Sequence, residues 1–203
     1  MSKHYDVTTI TVSAGQHGKA LSVLEGQFAG DPDLLACWYS EIGALNRVLI
    51  IRSAADAAAT LARRERILTS SDPFALGTLL RKVKMDTYAR FDVVPPIEPG
   101  AVGPIFEVRT YTLKYDGLTP TAKLWRKSVP SRAALSPVLA AMSSLSGEVI
   151  RFMHIWPYKS LDDRARLRAK AVADGVWPPP GGPDHIATMR SDIYLPARFS
   201  PTR

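Results

Sequence analysis

The segment Phe106-Glu-Val-Arg-Thr-Tyr-Thr-Leu113 repeats Tyr5-Asp-Val-Thr-Thr-Ile-Thr-Val12 at a spacing of 101 residues. Val7/Val108, Thr9/Thr110 and Thr11/Thr112 are identical, and Tyr5/Phe106 and Asp6/Glu107 are close in chemistry. Both stretches alternate and are rich in β-branched and aromatic residues, which marks strands. Two further blocks match in the same order. Leu34-Leu-Ala-Cys-Trp-Tyr-Ser-Glu-Ile-Gly43 lines up with Val138-Leu-Ala-Ala-Met-Ser-Ser-Leu-Ser-Gly147, and Arg90-Phe-Asp-Val-Val-Pro-Pro96 with Arg190-Ser-Asp-Ile-Tyr-Leu-Pro196. A period this long is a duplicated domain, because solenoid repeats run about 20–50 residues. The Pro- and Gly-rich stretch Pro95–Pro104 suits a linker, so the expected units are 1–97 and 104–203.

Each copy reads β-α-β-β-α-β. In the second, Ile105–Leu113 is a strand, and Thr119-Pro120 opens a helix carrying Leu118, Ala122, Trp125 and Val129 until Pro130 stops it. Val138–Ser144 and Val149–Trp156 are strands joined through Ser146-Gly147. Ser160, with Asp163 three residues on, caps a helix whose apolar stripe reads Leu161, Ala165, Ala169 and Val172. Ile186–Leu195 is the last strand. The first copy repeats the pattern, with Leu21, Leu24 and Phe28 on its first helix and Ala58, Leu61, Ala62 and Leu68 on a second that starts near Asp56. This is the α+β, ferredoxin-like arrangement. Two helices on one sheet face leave the other face bare, and a bare face needs burial. Two sheets can therefore close a barrel within the chain or pair across a homodimer, and a homodimer is expected.

The chain has 203 residues, 46% of them hydrophobic and 22% charged, which excludes disordered, collagen-like and disulfide-scaffold classes. A single cysteine, Cys37, cannot form an internal disulfide. No apolar run reaches the length of a membrane span, and the polar opening lacks the apolar stretch of a signal peptide. A soluble, cytoplasmic protein with no membrane partner is expected. The formal net charge of +7 comes from dispersed basic residues. Arg164, Arg166, Arg168 and Lys170 read as the solvated side of one helix, and no sheet-borne RNA-binding signature accompanies them, so no nucleic-acid partner is expected.

Three segments resemble the NIPSNAP family. Phe106–Leu113 is similar to its opening strand, and Glu41-Ile-Gly-Ala-Leu-Asn-Arg-Val48 to its Gly-x-Leu-Asn-x-Val hairpin. His154-Ile-Trp-Pro-Tyr-Lys-Ser-Leu-Asp-Asp-Arg164 is similar to its His-x-Trp-x-Tyr-x-Ser strand-to-helix junction. The resemblance implies the dimeric α+β-barrel superfamily, which includes small monooxygenases, haem-handling enzymes and proteins without known activity. The first half carries Ile50, Arg52 and Ala54 where the second has His154, Trp156 and Tyr158.

Along Ile105–Leu113 the side chains divide into two faces, with Phe106, Val108, Thr110 and Thr112 opposite Glu107, Arg109 and Tyr111. The more apolar set is expected under the helices, which puts Glu107, Arg109 and Tyr111 inside the barrel. There a Glu–Arg pair could orient an anionic or carbonyl-bearing ligand, with Tyr111 donating a hydrogen bond. The alternative is a structural ion pair. His154 is the best titratable candidate, on a face with Phe152 and Trp156, suited to general-base work or backbone hydrogen bonding. Glu107 and His154 are thus the candidate catalytic residues, and Arg109, Tyr111 and Trp156 the candidate ligand-binding ones. No His, Cys, Asp or Glu spacing forms a zinc or iron site, so neither metal nor cofactor is expected, with haem ligation through His154 or His185 the alternative left open. Cys37, mid-strand, reads as a buried inert thiol. Two classes follow: a small-molecule binder or monooxygenase-like enzyme with its site in the second half, or a non-catalytic interaction module. Asp6, Thr8 and Ile10 make the first half unsuited to the same chemistry.

Overall fold

The computed structural model describes residues 3–203. The first half runs β1 (His4–Val12), α1 (His17–Phe28), β2 (Leu34–Ile42), β3 (Arg47–Ser53), α2 (Ala57–Thr69) and β4 (Leu80–Arg90). The second runs β5 (Ile105–Leu113), α3 (Leu118–Ala133), β6 (Ala140–Ser144), β7 (Arg151–Tyr158), α4 (Leu161–Ala173) and β8 (Ile186–Pro196). All strand pairs are antiparallel, and their order β1-β3-β2-β8-β5-β7-β6-β4 returns to β1 as a closed barrel. The halves join at two equivalent seams, β2 with β8 and β6 with β4. One chain thus buries its own bare sheet faces, and the reason for expecting a second chain is met internally.

Closure produces three cores. The barrel interior holds Tyr5, Val7, Trp38, Leu49, Phe106, Val108, Met142 and Ile155. Outside it, α1 packs Ala20, Leu24 and Phe28 onto Ile10, Cys37 and Ile50. On the other side α3 packs Trp125 and Val129 onto Phe152, Trp156 and Tyr158. The linker belongs to the structure as well, since Ile97 enters the inner core and its N–H donates to the Tyr5 hydroxyl at 2.9 Å.

Several local expectations need correction. Pro130 does not end α3, which runs from a Gly117 cap to Ala133. Pro130 lies exposed in the last turn, where the carbonyl it leaves unpaired can be solvated. The buried stripes of α2 and α4 are rotated from those read in the sequence. Leu61 and Leu68 of α2 and Leu161 and Val172 of α4 are exposed, while Thr60, Leu167 and Ala171 are buried. The inward faces carry arginines that reach buried carboxylates on β1 and β5, so they are not the most apolar faces. β7 begins at Arg151 rather than Val149 and extends to Tyr158. The third sequence match is out of register: strand pairing sets Val7 opposite Asp86 and Val108 opposite Asp192, so Asp86 corresponds to Asp192 and Tyr88 to Tyr194. The helix starts were legible. Asp56 caps α2 by accepting from the N–H groups of Ala58 and Ala59, and Ser160 caps α4 through Asp163 N–H at 3.0 Å.

Candidate functional site

The β5–β7 register sets Glu107 opposite Trp156, Arg109 opposite His154 and Tyr111 opposite Phe152. All five candidate residues therefore share one sheet face. That face is inverted relative to expectation: Phe106 and Val108 fill the barrel interior, while Glu107, Arg109 and Tyr111 lie beneath α3 and α4. The physical reason lies in α4. Its Arg164 and Arg168 supply charge partners for Glu107 outside the barrel, and the enclosed lumen takes the apolar set.

Glu107 is fully buried, and its Oε1 accepts from Arg109 Nη1, Arg164 Nη2 and the Ser191 hydroxyl, each at 2.7 Å. Arg168 Nη1 stands 3.8 Å from Oε2, an ion-pair distance without a hydrogen bond. Burial alone would raise the pKa of this carboxyl; the hydrogen bonds from Arg164, Ser191 and Arg109 outweigh it and hold the value at about 2. Arg109 also donates through Nε to the Tyr111 hydroxyl at 2.6 Å. Arg132 lies over the Trp156 ring, 4.4 Å from its centre, and donates to the Ser136 hydroxyl at 2.7 Å. The sequence did signal Arg164 and Arg168, four residues apart on one helical face, yet the whole group read as solvated. Arg166 and Lys170, which pair with Asp163 and Asp174, do fit that reading.

His154 is enclosed among Tyr111, Trp125 and Phe152, with ring centres 4.8, 4.8 and 5.2 Å away. Its Nδ1 accepts the Trp156 indole N–H at 2.6 Å. An indole nitrogen can only donate, so the imidazole proton sits on Nε2. Burial first, and then the Arg109 charge, push the His154 pKa well below its ordinary value. The buried ring, held by its hydrogen bond with Trp156, lies behind the site and does not line its cavity.

Between this face and the helices lies a cavity of about 230 Å³. Tyr111, Trp125, Phe152 and Trp177 give it aromatic walls, and Arg109, Arg132 and Arg168 give it charge. No carboxylate or imidazole lines it among the described residues. The loop wall of Trp177, Pro178 and Pro179 was not foreseen, because only the closed fold brings it over Trp125, ring centres 4.9 Å apart. Among the described residues eight buried polar side-chain atoms lack a hydrogen-bond partner, and four of them belong to this layer: Glu107 Oε2, Thr121 Oγ1, His154 Nε2 and Arg164 Nε. The first half is electrically different. Asp6, Asp31 and Asp33 there balance Arg52, Arg63 and Arg64. Among the described residues no cluster could hold a metal ion, and no helix is long and apolar enough to cross a membrane.

A closed eight-stranded antiparallel barrel, built from two ferredoxin-like halves and flanked by four helices, defines an α+β-barrel protein. The chain belongs to the NIPSNAP family, whose model matches residues 106–201. It is 24% identical over 184 residues to the protein NipSnap of Drosophila melanogaster, a match covering 84% of this chain and 65% of that protein. The chain thus spans just under two thirds of this relative's length. A NIPSNAP family protein of Agrobacterium tumefaciens is 31% identical, covering 49% of this chain and 98% of that one, with a TM-score of 0.46. The fold over the whole chain is shared with a candidate monooxygenase from Fusobacterium nucleatum, with a TM-score of 0.67 and 13% identity over 98% of this chain and 94% of that one.

Proposed function

We propose that the protein binds a small planar organic anion in the cavity between the β5–β7 face and helices α3 and α4. The observation that carries this reading is charge imbalance: Arg109, Arg132 and Arg168 line the cavity with no acid among the described lining residues, and behind its wall one buried carboxylate, Glu107, is shared by Arg109, Arg164 and Arg168. Desolvated cations without a counter-charge are costly, and an anionic ligand supplies it. The aromatic walls select a flat, apolar body. Glu107 positions the arginines, and Arg109 and Arg168 meet the ligand with Tyr111. His154 and Trp156 form a rigid backing, joined by their hydrogen bond.

A catalytic reading is favoured by the fold shared with a candidate monooxygenase. In that reading the same cavity holds the substrate, and Thr121 Oγ1, an unpartnered polar atom on its wall, receives one of the substrate's polar groups. The test uses quenching of Trp125 and Trp177 fluorescence by 1-naphthoate and by uncharged 1-naphthalenemethanol. Naphthoate is expected to bind at least about tenfold tighter, a difference of about 1.4 kcal/mol, and Arg168→Gln to abolish that preference. Equal affinity for the two probes overturns the proposal. Oxygen uptake with a bound naphthol would support the catalytic reading.

A further inference from the structure

The barrel lumen holds a second cavity, of about 340 Å³, on the opposite side of the sheet from the first. The pairing registers reveal its symmetry. Thr11 faces Arg47 on β3 as Thr112 faces Arg151 on β7, and Thr9 faces Lys84 on β4 as Thr110 faces Arg190 on β8. In the closed strand order β3 stands opposite β7, and β4 opposite β8. Arg47 and Lys84 on one wall thus have cations, Arg151 and Arg190, in the equivalent places on the far wall, while Lys82 is matched by Thr188.

Carboxylates answer only part of this charge. Asp86 accepts from Arg151 at 2.8 Å and lies 3.5 Å from Lys84 Nζ, while Asp192 accepts from Arg190 at 2.6 and 2.8 Å. Arg47, which is hydrogen-bonded with Tyr194, and Lys82 line the same cavity, and among the described residues neither has a carboxylate in ion-pair range. The lining sets Arg47, Lys82, Lys84, Arg151 and Arg190 against Asp86, Glu148 and Asp192, so the chamber is net positive. A further mark is the Tyr88 hydroxyl: Tyr88 is 1% exposed, lines the chamber, and its oxygen has no hydrogen-bond partner. Deeper in, Phe106, Trp38 and Ile97 fill the lumen, so the chamber is a cup and not a channel.

We propose that this cup is a second binding site, for a small organic dianion whose two negative charges match the two cations left without a carboxylate. The ligand class follows from the charge count: Arg47 and Lys82, on the strands either side of β1, leave two positive charges unanswered, and a monoanion supplies only one counter-charge. The site is independent of the sheet–helix cavity, from which the barrel wall separates it.

Isothermal titration with succinate and with butyrate, at low ionic strength, tests this. The two match in carbon number and differ in charge. One succinate per chain is expected, bound at least tenfold tighter than butyrate and weakened at least tenfold by Arg47→Gln. That substitution is chosen because Arg47 has no carboxylate partner to strand. If the Arg47 variant fails to fold, Lys82→Gln, on an exposed position, is expected to give the same direction of change. Arg126→Gln, a remote surface substitution, should leave succinate affinity unchanged. No succinate binding, equal affinity for butyrate, or indifference to both lumen substitutions overturns the proposal.

Discussion

Trp38 and Phe106 lie face to face inside the barrel, ring centres 4.0 Å apart and planes within 13° of each other. One ring comes from β2 and the other from β5, so this contact joins the two copies of the repeat. Neither copy can bury its inner sheet face without the other. A single cooperative unfolding transition is therefore expected in urea, with fluorescence and circular dichroism coinciding. Phe106→Ala should lower stability by about 3–5 kcal/mol without splitting that transition. Two separated transitions would show that the copies hold together independently.

The glycines matched in the repeat, Gly43 and Gly147, have equivalent duties across the seams. Each has a positive φ, and a Cβ at Gly43 would overlap the Asp192 carboxylate, while one at Gly147 would overlap that of Asp86. Each half thus seats its hairpin against the aspartate of the other half. Gly43→Ala and Gly147→Ala should each cost about 1–3 kcal/mol, measured by urea denaturation. Gly26→Ala, whose added methyl meets open space, should cost nothing or stabilise α1.

These examples mark where the sequence was legible. Strand β5, the caps of α2 and α4, and the repeated β-α-β-β-α-β order all follow from local pattern. The face of β5 did not, for a physical reason. Both faces of each strand are covered, one by the lumen and one by helices, so alternation cannot say which set goes where. Polarity misled as well, since Glu107 is more buried than many apolar residues. The arginines of α2 and α4 face inward to Asp6 and Glu107, which hid the buried helix faces from any search for apolar stripes. The five candidate site residues were still found together, because strand spacing and pairing preserve a shared face whichever way it points.

His154 makes the protein sensitive to mild acid. Its pKa lies well below the ordinary 6.5 in the folded chain because burial penalises the charged ring, and the Arg109 charge adds to this. The unfolded chain takes up that proton once pH falls below about 6.5, so stability must decline as pH drops from there. The slope contributed is at most about 1.4 kcal/mol per pH unit. Unfolding free energies measured between pH 7 and 5 should show this decline, and His154→Gln should flatten it while its amide oxygen still accepts from Trp156. An unchanged slope in that variant would mean that His154 is not the titrating group. Glu107 acts in a lower window: its contribution is fully present above its unfolded pKa and is lost as pH falls toward about 2.

Replacing Glu107 separates structural charge from ligand charge. Glu107→Gln keeps an oxygen for the Arg109, Arg164 and Ser191 donors but removes the negative charge that these arginines share. Stranding buried cations should cost about 3–5 kcal/mol. The same loss raises the electrostatic demand for an anion in the cavity. The thermal stabilisation by 1-naphthoate should therefore be larger in Glu107→Gln than in the parent protein, despite the lower starting stability. Asp6→Asn provides the comparison, because Asp6 carries the matching ion pairs with Arg63 and Arg64 in the half with balanced charges. It should destabilise the protein and leave the naphthoate shift unchanged. Equal shifts in the Glu107 variant and the parent would show that the arginine cluster serves only the fold.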